Sequence, residues 1–278
     1  MTQDSRRQWL SVARGDAPLV LSVPHAGIEI PPQYGRHFLS AWLARKDTDW
    51  WVDRLYDFAA QLGATVVRSA ISRSIVDANR DPSGASLYPG QPTTELCPTT
   101  TFDGEHLYVP GGAPDEEEIA SRREHFFDPY HSAIAAELMR LRRTHPAVVL
   151  YDCHCIRSVV PRLFPGVLPN FNIGSNGAVT CSTALTTQIE ALCDSSGLSR
   201  ITNGRFKGGY TTRHYGRPAQ GIHAIQMELA CRSYLQEPEG PLDAHNWPPQ
   251  YDETAAAPLR AVLKRIVATC IRFGGAPQ

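Results

Sequence analysis

Apolar positions along the chain fall into short unbroken runs separated by longer amphipathic stretches. Leu19–Val23 (LVLSV) runs without a charged residue to Pro24 and reads as a strand buried on both faces. Residues 147–151 (AVVLY) repeat that pattern, and residues 221–229 form a longer strand. Shorter strands are predicted at residues 64–67, 74–76, 171–173 and 200–202. Between them the apolar spacing becomes three and four. Residues 38–62 carry Trp51, Leu55, Phe58 and Leu62 at helical intervals, with Gly63 where a C-terminal cap belongs. Residues 114–143 read as a long helix, with acids in the first turns and Arg140, Arg142 and Arg143 in the last, the order a helix dipole favours. Further helices are predicted at residues 182–193 and 254–271. Residues 78–112, rich in Pro, Gly, Thr and Ser, read as a loop, and a loop of that length in a compact domain is often functional.

Strands alternating with helices predict an α/β fold: residues 1–278 as one domain, with a mixed, largely parallel sheet flanked by helices. In such sheets ligands collect beyond the carboxyl ends of the strands, so the residues that follow each strand become the candidates for chemistry.

Composition narrows the class. Of 278 residues 42% are hydrophobic and 20% charged, and the net charge is −1, which argues against a nucleic-acid or membrane-surface partner. No apolar run approaches the ~20 residues of a membrane span. The polar N-terminus has no apolar signal core, which leads us to expect a cytoplasmic protein. Seven scattered cysteines suit reduced thiols better than a disulfide framework, and oligomeric state is left open.

His25 and His154 each come just after a predicted buried strand, where a neutral imidazole is a good ligand for zinc or another divalent cation. A third ligand should be acidic. Asp49 is the first choice, with Asp47 and Glu29 as alternatives, although both aspartates also suit the start of a helix. Asp152 is placed to accept a hydrogen bond from His154 and orient its ring. Cys153 and Cys155 flank His154 but should point away from it, because neighbours in an extended chain alternate sides. Glu228 shares a strand face with Gln226. A carboxylate in so apolar a strand is costly unless paired or used, which makes it a candidate general base. Between Ser195 and Met227 there are five Lys or Arg residues and no Asp or Glu, with glycines interleaved. This basic segment, with Lys207, Arg213 and His214, and the Asn79-Arg80 pair upstream, suits a small-molecule substrate with two carboxylates.

At this point the residues match a known family. Pro24-His25-Ala26-Gly27, Asp47-Thr48-Asp49-Trp50, Asp77-Ala78-Asn79-Arg80-Asp81-Pro82-Ser83-Gly84 and Ser86-Leu87-Tyr88-Pro89-Gly90-Gln91 carry the resemblance. Thr94-Glu95-Leu96-Cys97-Pro98, Asp152-Cys153-His154, the segment from Asn203 to Pro218 and Gln226-Met227-Glu228-Leu229 continue it. Together, in this order, they resemble the N-formylglutamate amidohydrolases of histidine degradation. The resemblance implies a fold similar to zinc carboxypeptidases, zinc held by His25, Asp49 and His154, and Glu228 as general base. It places Asn79, Arg80, Lys207, Arg213 and His214 in substrate-binding segments. It also implies hydrolysis of N-formyl-L-glutamate to formate and L-glutamate. Carboxypeptidases place a glutamate where this chain has Ile28. Trp51 stands in place of an expected histidine, and Cys155 in place of a serine. A deacylase for N-acetyl or N-succinyl amino acids, and a non-catalytic relative that binds anionic metabolites, are the rival readings.

Overall fold

The computed structural model describes residues 9–86, 90 and 93–276; Leu87, Tyr88, Pro89 and Gln91 of the matching motif lie outside the described residues. Seven strands form one mixed sheet: β1 (Leu10–Ala13), β2 (Leu19–Val23), β3 (Thr65–Ser69), β4 (Val148–Ile156), β5 (Phe171–Gly174), β6 (Arg200–Thr202) and β7 (Ile222–Ala230). Their order is β1-β3-β2-β4-β7-β5-β6. The central pairs β3/β2, β2/β4 and β4/β7 are parallel, whereas β1/β3 and β7/β5 are antiparallel. The expected mixed, largely parallel α/β sheet is therefore present.

Among the described residues seven α-helical segments accompany it: α1 (Pro32–Gly35), α2 (Val52–Leu55), α3 (Glu116–Arg122), α4 (Asp128–Arg142), α5 (Thr183–Asp194), α6 (Tyr210–Tyr215) and α7 (Glu253–Gly275). On one face of the sheet, Leu21, Tyr151, Ile225 and Met227 pack with Leu185 and Ile189 of α5 and Leu259 and Ile266 of α7. On the other, Val20, Val148 and Leu150 pack with Tyr130, Ile134 and Leu138 of α4. Each fully buried aliphatic side chain contributes about 1.5–3 kcal/mol, so the two layers fix the sheet firmly on both faces. Among the described residues no helix is long and apolar enough to cross a membrane.

Three elements differ from the sequence expectation. Residues 38–62 form no continuous helix: Trp51 takes a left-handed φ of 63°, and only α2 and the 3-10 turn Asp57–Leu62 follow it. Residues 74–76 belong to a turn closed by Ile75 N–H donating to the Ser72 carbonyl, not to a strand. The helix expected at 114–143 starts at the Asp115 cap, whose side chain accepts from Glu118 N–H, and passes through a π turn at Arg123–Phe127 between α3 and α4. The edge strand β1, exposed from Ser11 to Ala13, is a further element that the sequence expectation does not include.

The sheet also shows where polar chemistry is tolerated. Along β4 and β7, alternate residues Tyr151, Cys153, Cys155, Ile225, Met227 and Leu229 face the α5/α7 core. The opposite face is apolar at Val148, Leu150 and Ala224, then turns polar at Asp152, His154, Gln226 and Glu228. In register, Asp152 pairs with Gln226 and His154 with Glu228. Four polar side chains thus occupy one buried patch near the carboxyl ends of two parallel strands.

Candidate active site

His25 reaches this patch from the turn after β2. That turn is pressed against the neighbouring chain: a Cβ on Gly27 would come within 2.4 Å of the Ala70 carbonyl oxygen, so glycine is required for the approach. His154 lies inside β4 rather than after it, because β4 stays paired with β7 as far as Ile156. Asp49 sits in the turn before α2, where its N–H donates to the His25 carbonyl at 3.0 Å. The three side chains are almost fully buried, and one ligand atom from each lies within 4.8 Å of the others. Asp49 Oδ2 is 3.0 Å from His154 Nδ1 and 3.8 Å from His25 Nδ1. Neither alternative acid joins them. Glu29 is exposed, and Asp47 Oδ2 accepts from Phe102 N–H at 2.6 Å.

The far nitrogens of both rings face carboxylates. His154 Nε2 is 2.8 Å from Asp152 Oδ2, and His25 Nε2 is 2.9 Å from Asp77 Oδ1, the latter off the axis of a good hydrogen bond. Outer carboxylates of this kind fix ring orientation and keep the inner nitrogens turned toward a common point. His25 Nδ1, buried, has no hydrogen-bond partner. Two imidazole nitrogens and one carboxylate oxygen are the donor set of a divalent-cation site with open positions, so these residues could hold zinc or a similar ion.

Arg73 ties the group together from the side. Its Nη1 donates to Asp49 Oδ1 at 3.0 Å and its Nη2 to Asp77 Oδ2 at 2.7 Å, while the Phe102 ring covers the guanidinium. Arg73 and Asp77 have no assigned role in the sequence reading. The available signal was a pair of opposite charges four residues apart among Ile71, Ile75 and Val76. Asn79 is held by Thr211 N–H donating to its Oδ1 at 2.9 Å, which turns its Nδ2 toward Asp152, His154 and Gln226.

A cavity opens over this group. His25, His154, Glu228, Gln226, Asn79 and Arg73 line its floor; Arg80 and Arg205 bring positive charge; Phe102, Ile156, Leu163 and Phe206 give apolar walls. Lys207, Arg213 and His214 are not among its lining residues. The Lys207 carbonyl accepts from Asn176 N–H, Arg213 Nε donates to the Gly208 carbonyl, and His214 stacks on Tyr210 at 4.8 Å. Cys153 and Cys155 face the opposite core, where burial pushes both thiols well up, so neither is a nucleophile poised for this cavity.

Electrostatics separate the groups. Burial pulls both imidazoles down. Asp152 and Asp49 overcome it and hold His154 well above the ordinary histidine range, whereas burial and Arg73 leave His25 below it. Asp77 resists its burial and stays well below the usual carboxylate range because His25, Arg80 and Arg73 surround it. Burial raises the Glu228 carboxyl to about 7. A raised His154 binds its proton near neutrality, and a ligating nitrogen must give that proton up. Cation uptake should therefore release roughly one proton per chain, and affinity should climb as pH rises. Calorimetric titration in buffers of different ionisation enthalpy reads the release; buffer-independent heats would refute it.

A buried imidazole–carboxylate group, a raised glutamate and cationic walls surround one cavity, a combination whose chemistry suits hydrolysis. A model of the N-formylglutamate amidohydrolase family matches residues 17–235, and the chain belongs to that family. It is 42% identical to an N-formylglutamate deformylase of Pseudomonas aeruginosa over 266 residues, 95% of this chain and 97% of that one. Identity to the Pseudomonas putida N-formylglutamate deformylase is 41%, over 95% of this chain and 96% of that one. Among solved structures, an N-formylglutamate amidohydrolase from Ralstonia eutropha JMP134 is similar in fold, with a TM-score of 0.79, 23% identity, and coverage of 95% of this chain and 97% of that one. A gene product of Agrobacterium tumefaciens follows at a TM-score of 0.70 and 18% identity, covering 95% of each chain.

Proposed function

We propose that this chain hydrolyses N-formyl-L-glutamate to formate and L-glutamate, in the cytoplasm, as a step of histidine degradation. The observation that carries this reading is the convergence of the His25–Asp49–His154 cage and Glu228 on one cavity with two arginines in its walls. Relatives that share 41–42% identity and bear the name N-formylglutamate deformylase support the choice of substrate.

His25, Asp49 and His154 would hold a zinc ion or another divalent cation, which would supply Lewis-acid polarisation of the formyl carbonyl and a lowered pKa for water. Glu228 takes the proton of the attacking water and returns it to the departing amine nitrogen, a role that suits a carboxyl raised to about 7. Arg80 and Arg205 bind the two substrate carboxylates from the cavity wall. Asn79 holds the His154–Asp152 pair in place, Lys207 shares the loop of Arg205, and Arg213 and His214 lie on α6, which follows that loop. Phe102, Ile156, Leu163 and Phe206 limit access of bulk water.

The acyl group and amino acid are tested together by comparing kcat/KM on N-formyl-, N-acetyl- and N-succinyl-L-glutamate and on N-formyl amino acids with one carboxylate. N-formyl-L-glutamate should lead each alternative by at least ~10-fold, since misfit acyl groups and unpaired arginines both cost transition-state binding. A faster N-acetyl or N-succinyl substrate would overturn the deformylase reading. Intact binding without turnover in cation-loaded protein would favour a non-catalytic relative.

A further inference from the structure

Gln226 and Glu228 share one face of β7, beside Asp152 and His154 of β4, and both are buried. The orientation of the Gln226 amide is set by its surroundings. The backbone N–H of Gly209 donates to Gln226 Oε1 at 2.8 Å, and a backbone N–H has no other role to offer. With Oε1 committed, Nε2 must face the other way, and it donates to Glu228 Oε2 at 3.1 Å. Turning the amide over would oppose two donors at Gly209 and two acceptors at Glu228, losing a buried hydrogen bond at each end.

The donor at Gly209 is itself closely packed. Gly208 takes a φ of 109°, and a Cβ on Gly209 would come within 2.4 Å of the Asn79 amide. The loop that ends there also carries Arg205 and Phe206 into the cavity. A directed chain therefore runs from Gly209 N–H through the Gln226 amide to one oxygen of Glu228. Glu228 Oε2 is held as an acceptor, and Oε1 is left as the oxygen that exchanges a proton with substrate and water.

We infer that Gln226 is a positioning residue for the reaction: it fixes the rotamer of Glu228, assigns Oε1 as the working oxygen, and couples that carboxyl to the seating of the 204–209 loop. This inference rests on the reading of Glu228 as the general base.

A double-mutant cycle tests it, with kcat and KM for formate release from N-formyl-L-glutamate measured under single-turnover and steady-state conditions, and Tm and cation content alongside. Gln226→Leu should lower kcat by about 10–100-fold with KM changed by less than about 3-fold, the effect of a misplaced catalytic group. In the Glu228→Gln background the same change should cost less than about 3-fold, because the two residues act as one unit. Gln226→Met adds no charge and keeps the side-chain length, while removing the amide donor to Glu228 and the acceptor for Gly209. It should reproduce the loss in kcat with cation content held, and it decides the question if Gln226→Leu does not fold. Equal losses in both backgrounds, or a fall in Tm or cation content with kcat preserved, overturn the inference alone. Near-normal turnover by Glu228→Gln itself overturns the general-base reading and takes this inference with it.

Discussion

Glu228→Gln should lower kcat for formate release by about 10²–10⁴-fold, the usual worth of a positioned general base. The amide fills the same space, so the fold and the cation cage should survive. The cage draws on β4 and the turns after β2 and before α2, and none of its atoms comes from Glu228. KM should move far less than kcat, because the role proposed for Glu228 is with a proton and not with the substrate carboxylates. The activity that remains would reflect binding and polarisation alone. Unchanged turnover, with cation content confirmed, would remove Glu228 from the chemistry and leave the cavity without a base.

Arg73→Met should destabilise the cation-free protein by up to about 3–5 kcal/mol, because it takes from two buried carboxylates the one guanidinium that bonds both, leaving Asp49 to His154 and Asp77 to His25 and Arg80. Asp49 and Asp77 are each essentially inaccessible to water, and Arg73 is the cation that contacts both. Loading a divalent cation restores positive charge next to Asp49 but not next to Asp77, so the loss should shrink without vanishing. Arg73→Lys should fall between, since an ammonium cannot form two directed contacts with the fork geometry of a guanidinium. Urea denaturation of the wild type and both variants, with and without cation, measures this directly. Equal midpoints for wild type and Arg73→Met would show that the two carboxylates need no such partner.

The strands that build the site were legible because they are buried on both faces. Leu19–Val23, the first half of β4 and most of β7 stand out as strands. Period-two alternation then placed Cys153 and Cys155 opposite His154, and Gln226 on the side of Glu228. The end of β4 was less legible. Asp152 and His154 look like the polar close of a strand, yet pairing with β7 carries the strand past them. The spacing of Trp51, Leu55, Phe58 and Leu62 imitates a helix, but the first three pack from short turns whose shape is set by long-range bonds, and Leu62 is exposed. Trp51 Nε1 donates to the Pro249 carbonyl, and Tyr234 hydroxyl to that of Trp50. No local pattern announces those partners. The same limit hid Arg73 and Asp77, whose role depends on a guanidinium meeting Asp49 from a separate segment. The basic segment was legible as a charge imbalance, but the sequence could not separate Arg205, which lines the cavity, from Lys207 and Arg213, which do not.

The most direct test of cation-dependent deformylation is elemental analysis of the purified protein paired with formate release from N-formyl-L-glutamate before and after exhaustive chelation. A stoichiometric divalent cation, turnover lost on its removal and turnover regained on its return are the expected results. Full formate release from protein shown to be free of metal would contradict the assignment of His25, Asp49 and His154 as a catalytic cage.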